Sequence, residues 1–364
     1  MSNEFSISRD LINELIALVN SGQTFSDIHI EQDMPIMIKT PRKWEQVGDE
    51  PVTLEEMVPL LRGIDEDWED KIIDQAIDRP FILTQYRLRC NVYRMSCGSK
   101  VAISIRRLPL HPLSLEKTGL PPYVKTMLDT TKGVILVTGA TGSGKTTTIA
   151  AMLDHINATR SAHIITIEEP IEYQLQRKQS IISQKEVPAD TASFFSGLRE
   201  ALRQKPDVLM VGEIRDLDTA DTVLHAGESG HLVLATMHTN SALGAISKLL
   251  GFFPPEQRQQ RAATLANSLV GVIFQSLLPS EQGDDFVLAA EMIFNNIQQV
   301  APYIADPGKL HLIADFLRRK EDNMSRSLNE VLVQLAVDKL VDFKDAMRAT
   351  YNRLELHELF NKKR

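Results

Sequence analysis

One stretch limits this chain more than any other. Val134-Ile135-Leu136-Val137-Thr138 is an apolar run, Gly139-Ala140-Thr141-Gly142-Ser143-Gly144-Lys145-Thr146 follows it, and Thr147 through Leu153 turns apolar again with helical spacing. The order predicts a buried strand, a glycine-rich loop and a helix. The eight residues from Gly139 to Thr146 fit the phosphate-loop pattern of two glycines five apart followed by Lys and Ser or Thr. Glycines let the backbone curl and turn its N–H groups inward, and the following helix brings its positively polarised end to the same point. In such a loop Gly139, Thr141, Gly142, Ser143, Gly144 and Thr147 wrap the phosphates. Lys145 reaches the β- and γ-phosphates, and the Thr146 hydroxyl is a Mg2+ ligand. The expected ligands are therefore ATP and Mg2+.

A length of 364 residues points to two domains. The formal net charge of -8 argues against a dedicated nucleic-acid binder, which carries a basic face. Cys90 and Cys97 are the two cysteines, too few for a disulfide framework or a zinc site. No apolar run approaches the length of a membrane span, and the N-terminal residues Glu4, Arg9 and Asp10 do not look like a secretion signal. A cytoplasmic protein is the expectation.

Residues 1–108 read as a small α+β domain. Leu11, Ile12, Leu15, Ile16, Leu18 and Val19 predict an amphipathic helix over 8–21, with Ser8 as cap and Gly22 as stop. Phe25–Ile30 and Met34–Lys39 alternate as strands, and Pro35 suggests an edge. Residues 53–77 predict two helical pieces broken near Gly63. Phe81–Thr84, Tyr86–Arg94 and Lys100–Leu108 predict further strands. Four prolines in 109–122 mark a linker. From Tyr123 to about residue 300, strands alternate with helices, which implies a mostly parallel sheet covered on both faces. After Phe253-Pro254-Pro255 the pattern predicts a helix through Gln275, then a hairpin near Gly283-Asp284. Residues 301–364 form a helical C-terminal region.

Ligands of an open α/β sheet bind beyond the carboxyl ends of its strands, and three later strand ends carry suitable groups. Asp207-Val208-Leu209-Met210-Val211-Gly212-Glu213 places Glu213 where it can orient or deprotonate a water, or hold Mg2+. His163-Ile164-Ile165-Thr166-Ile167 runs into Glu168, with Glu169 and Glu172 in the following loop. His231 and His238 bracket the strand Leu232–Thr236, so they lie near opposite strand ends and cannot both touch one phosphate. Arg87, Arg89, Arg94, Arg106 and Arg107 crowd the first domain. Their pattern fits either a solvated sheet face or arginine fingers acting in cis or on a neighbouring subunit.

Four motifs in this order resemble the secretion ATPases that drive type IV pili and related export systems, and most nearly the PilT-like retraction ATPases. They are Gly139–Thr147, Ile165–Glu172, Pro206–Asp216 and Gly230–Asn240. Ser26-Asp27-Ile28-His29 is similar to a signature of the family's PAS-like N-terminal domain. The resemblance spans about residues 10–300. It implies a PAS-like domain followed by a RecA-like ATPase domain. It also implies a ring hexamer with ATP between subunits, docked on an inner-membrane platform protein at the cytoplasmic face. An alternative reading is a poorly active scaffold that regulates a sister ATPase of the same machine. Position by position, the resemblance implies that Glu213 is the catalytic glutamate, Glu168 the acidic-box residue, His231 and His238 the histidine-box pair, and Arg87, Arg94 and Arg106 phosphate contacts. Two departures stand out. Glu169 replaces the family's usual Asp, and Asn296–Ile304 lacks the Ala-Ile-Arg-Asn-Leu-Ile-Arg-Glu motif of retraction motors, which leaves secretion or conjugative transfer open. The chain also lacks the four-cysteine insert of pilus-extension ATPases.

Overall fold

A computed structural model describes residues 9–83, 86–295 and 298–363. The chain divides into two units. One holds the residues up to His111 with Gln282–Phe286, and the other holds Pro112–Glu281 with Val287 to the end.

The first unit is one antiparallel sheet with three helices. Helix α1 (Leu11–Val19) precedes β1 (Asp27–Glu31), β2 (Met34–Lys39) and β3 (Trp44–Val52); α2 (Leu54–Ile64) and α3 (Trp68–Asp74) follow, then β4 (Ile77–Leu83), β5 (Tyr86–Met95) and β6 (Lys100–Pro109). The sheet order is β3-β2-β1-β6-β5-β4. Helix α1 begins later than its apolar spacing predicts. Asp10, not Ser8, caps it by accepting the Asn13 N–H at 3.1 Å, and Ser8 lies outside the described residues, as does Thr84. Strand β2 is interior, contrary to the edge position read from Pro35. Its ladder to β3 shifts register between Met34 and Ile36, so the proline sits at an irregularity where its missing N–H leaves no gap in the ladder. The helix break falls at Asp65–Asp67, and Gly63 stays inside α2. Strand β3 escaped the sequence pattern because it is an edge strand with mostly exposed, polar residues.

The second unit begins in the proline-rich segment, where Leu115 and Leu120 are already buried against its core. Its elements are α4 (Val124–Leu128), β7 (Gly133–Thr138), α5 (Lys145–Thr159), β8 (His163–Glu168), β9 (Ile181–Glu186), α6 (Phe194–Ala201), β10 (Val208–Val211), α7 (Leu217–Glu228), β11 (Leu232–Met237), α8 (Ala242–Gly251), α9 (Pro255–Ser268), β12 (Leu269–Pro279) and β13 (Phe286–Phe294). Short α10 (Ala301–Ile304) leads to α11 (Leu312–Arg319), α12 (Leu328–Val337), α13 (Phe343–Ala349) and α14 (Arg353–Lys363). The seven strands run β13-β12-β7-β11-β10-β8-β9. Parallel pairing joins β12 through β9 in that order. Every residue of β7, β10 and β11 is buried, as a strand covered on both faces requires.

Residues 269–275 are strand, not the end of a long helix. Helix α9 stops at Ser268, and Leu269 and the run Gly271-Val272-Ile273-Phe274 pair with β7. A β-branched and aromatic run suits a buried strand, and only the neighbouring β7 reveals that it is one. The C-terminal helices are tied to this unit by Glu291 of β13, which is 1% exposed. Its carboxylate accepts the N–H of Ala242 at 2.7 Å and of Leu328 at 3.3 Å, each the first residue of a helix, and the Tyr351 hydroxyl at 2.5 Å.

Candidate functional site

Strand register builds the site. Thr138 pairs with Met237, Ala235 with Val211, and Val211 with Ile167. Four parallel strands therefore end side by side, and their ends carry Gly139, His238, Gly212-Glu213 and Glu168. Thr138 and Thr239 share a hydrogen bond of 2.6 Å, which pins the first and second of these exits together.

The phosphate loop is shaped by what a side chain would strike. A Cβ on Gly139, at φ 149°, would collide with the Gln275 carbonyl and with Ser143 Oγ. Gly144, at φ 85°, caps α5 in the left-handed region, against Gln275 and Leu277. Gln275 Nε2 donates to the Ser143 carbonyl at 2.7 Å, holding the loop from β12. Sequence reading missed Gln275, although it is the one polar residue ending the apolar run Val272-Ile273-Phe274. Gly142 takes φ 78° at the loop's turn, and Thr141 is exposed there. Thr146 begins α5 beside Lys145, and Thr147 Oγ1 bonds the Tyr173 hydroxyl at 2.8 Å.

Lys145 is only 8% exposed, and its Nζ donates to the carbonyls of Gly139 and Ala140 at 3.0 and 2.9 Å. Burial holds its pKa below the ordinary lysine value, while Glu213 and Glu172 oppose that shift. His238 stands next to it, with Nδ1 3.5 Å from Lys145 Nζ and Nε2 3.6 Å from Glu213 Oε2. Burial, then Lys145, pushes His238 down from its usual value, so at neutral pH it is uncharged. Arg215 Nε donates to Glu213 at 2.7 Å, and its Nη1 to Glu169 at 3.0 Å. A continuous polar chain thus runs Lys145, His238, Glu213, Arg215, Glu169.

Glu168 is the last residue of β8 rather than the first beyond it, and it is 7% exposed. Its Oε1 accepts from Thr166 Oγ1 at 2.7 Å and from Gln184 Nε2 at 3.0 Å. Burial pushes its carboxyl above the ordinary range. With Thr146, Tyr173, Gln184 and Met210 it lines a cavity of about 10 Å³.

His231 is not part of this cluster. It precedes β11, where its carbonyl accepts the Gly133 N–H at 2.9 Å and its Nδ1 lies 3.1 Å from the Ala226 carbonyl. Seven residues of extended chain separate it from His238, roughly 20 Å at strand rise. In the first unit, Arg106 pairs with Asp27 at 3.1 Å, and Arg94 donates to the Gly98 carbonyl at 2.7 Å. Arg87 lies on β5 opposite Ile82 and Leu108. Among the described residues no cluster of three His, Cys, Asp or Glu could hold a metal, and no helix is long and apolar enough to cross a membrane.

The chain is similar to known proteins over most of its length. The family profile described as type II/IV secretion system protein matches residues 9–301. The type IV pilus retraction ATPase PilT of Pseudomonas aeruginosa is 37% identical over 270 residues, 73% of this chain and 78% of that protein. A twitching motility protein of Neisseria gonorrhoeae is 33% identical over 319 residues, 87% and 84% of the two chains. A crystal structure of the pilus retraction motor PilT with bound ADP superposes with a TM-score of 0.79 at 35% identity, covering 94% of this chain and 99% of that one. With its phosphate loop facing Glu213 and His238 across adjoining strand ends, this chain belongs to the type II/IV secretion system protein family.

Proposed function

We propose that this chain is the ATP-hydrolysing motor of a type IV pilus machine, most directly one that retracts the pilus. The observation that carries the reading is the convergence of Lys145, His238 and Glu213 at the carboxyl ends of neighbouring strands, in a chain related over most of its length to PilT. The loop fits a polyphosphate. Ser143 Oγ is buried there with no hydrogen-bond partner, Lys145 is held over the loop's carbonyls, and the fifteen-residue α5 points its N-terminus at the same place.

Lys145 and the loop amides of Gly142, Ser143 and Gly144 bind the phosphates of ATP, and Thr141 and Thr147 complete the cradle. Thr146 and Glu213 would hold Mg2+, which would supply charge neutralisation at the transferred phosphate. Glu213, kept oriented by Arg215, takes the proton of the attacking water, and neutral His238 lies within reach of the same phosphate. Glu168 fixes the polar surroundings of Thr146. The reading extends to a homohexamer with a PAS-like N-terminal domain and a RecA-like core. In that ring Arg87, Arg94 and Arg106 reach a neighbour's nucleotide. The ring docks on a platform protein at the cytoplasmic face of the inner membrane.

Purified Lys145→Ala should neither bind nor turn over ATP, and Glu213→Gln should bind ATP yet turn over at least a hundredfold slower. Wild-type turnover in either variant sinks the assignment it probes. Deleting the gene and imaging surface pili tests the machine: excess pili that no longer shorten mark a retraction motor. The altered segment near α10 favours a second reading, a motor for secretion or conjugative transfer. Normal pili with lost cargo export would select it. Intact Lys145 and Glu213 weigh against a merely regulatory partner of a sister ATPase.

A further inference from the structure

Gln184 is on β9, the strand at the sheet edge, directly opposite Thr166 of β8 in the parallel register. Thr166 and Glu168 are two apart on one strand, so their side chains leave the same face of the sheet as that of Gln184. The Gln184 amide makes three hydrogen bonds. Its Oε1 accepts the Leu175 N–H at 2.9 Å, which fixes the amide's orientation and turns Nε2 toward Glu168. That nitrogen donates both to Glu168 Oε1 at 3.0 Å and to the Tyr173 carbonyl at 2.9 Å. Tyr173 in turn grips Thr147 of the first turn of α5. One side chain therefore joins the acidic strand end, the loop after it and the phosphate-loop helix.

We propose that Gln184 is a positioning residue for Glu168: it ties the buried carboxylate to the Tyr173 loop and so fixes its orientation beside the cavity that Thr146 also lines. The inference rests on the proposed role of Glu168 in ATP turnover. A donor to a carboxylate stabilises its charged state and draws its pKa down. In the low-dielectric surroundings of Glu168, such a bond counts for more than at the surface. Thr166 donates to the same oxygen, and the Glu172 backbone bonds the carboxyl as well. Without Gln184 the carboxyl keeps these bonds but loses the donor that ties it to the Tyr173 loop.

The test uses the full chain and ATP turnover as a function of pH. Gln184→Leu should bind ATP with unchanged affinity and lower kcat roughly tenfold to a hundredfold at pH 7, the effect of one hydrogen bond to a charged group. Its acidic limb should move up, because Glu168 loses a donor that lowers its pKa. Gln184→Glu keeps the acceptor for the Leu175 N–H, so it controls for folding. It sets a second carboxyl against Glu168, and should shift the acidic limb further still. The swap Gln184→Glu with Glu168→Gln restores the hydrogen bond with donor and acceptor exchanged. It should recover thermal stability but not turnover. Wild-type kcat and pH profile in both single variants overturn the proposal, as does full activity of the swap. Glu168→Gln separates the two layers. If it is inactive while Gln184→Leu is unaffected, only the positioning role falls. If it is fully active, the role of Glu168 falls, and that of Gln184 with it.

Discussion

His238 Nδ1 lies 3.5 Å from the ammonium of Lys145, and burial together with that charge draws the imidazole below its usual value. The histidine lies within reach of Glu213 on its other side, which pulls the opposite way, but burial and the lysine prevail. Lys145 is itself drawn down by burial. Two nitrogen bases thus meet beside one carboxylate, at the loop expected to receive phosphate.

The first prediction concerns this pair. In the folded wild-type chain, His238 should titrate below the ordinary value of 6.5. Lys145→Met removes the neighbouring charge, so His238 should titrate higher in that variant than in the wild type. Histidine ring signals followed by NMR through a pH series would show the shift. An unchanged midpoint would mean that Lys145 has no part in holding His238 neutral.

Gln275→Leu should loosen the phosphate loop without unfolding the chain. The change strands the buried Ser143 carbonyl, now bonded at 2.7 Å, at a cost of about 1–3 kcal/mol. Affinity for ADP should fall about tenfold, measurable by calorimetry, with a small loss of melting temperature. Undiminished ADP binding would show that the loop keeps its shape unaided by β12.

Glu291 predicts a pH dependence of stability. Burial raises its carboxyl above the ordinary 4.5, so the folded state keeps the proton to higher pH than the unfolded chain does. The associated stability is fully present below 4.5 and is lost as pH rises through the raised folded value. Glu291→Gln has no such titration. Relative to that variant, the wild type should melt progressively lower as pH is raised from 4.5 toward neutrality, a trend that a thermal scan at each pH can follow. A difference that stays constant with pH would remove the account.

The two cysteines should react very differently. Burial pushes the Cys90 thiol up to about 12, whereas Cys97 is exposed. At pH 8 a maleimide should label Cys97 alone in the native protein and both after denaturation. Native labelling at Cys90 would mean that its sheet opens readily.

Much of the site was legible in sequence because its groups sit in contiguous motifs at the ends of apolar runs. Gly139 to Thr147, Glu168, Glu213 and His238 each follow a strand whose burial is written in consecutive apolar residues. Parallel pairing then brings the strand ends together. The sequence could also show that His231 and His238 lie at opposite ends of one strand, since seven residues of extended chain fix their separation.

What the linear order could not supply is whatever depends on a neighbouring strand. Whether 269–275 is helix or strand turns on β7 lying beside it, because a short apolar run suits either state. The edge strands β3 and β9 carry too little apolar alternation to be recognised, so Gln184 had no strand to belong to until β8 was in place. Pro35 reads as an edge residue by rule, yet it lies in an interior strand because a local register shift spares its missing N–H. Motif residues were determined by chain sequence alone, since their chemistry and spacing are local. The residues that orient them, Gln184, Gln275, Arg215 and Tyr173, were decided by tertiary structure, since a hydrogen bond between distant segments has no signature within either one.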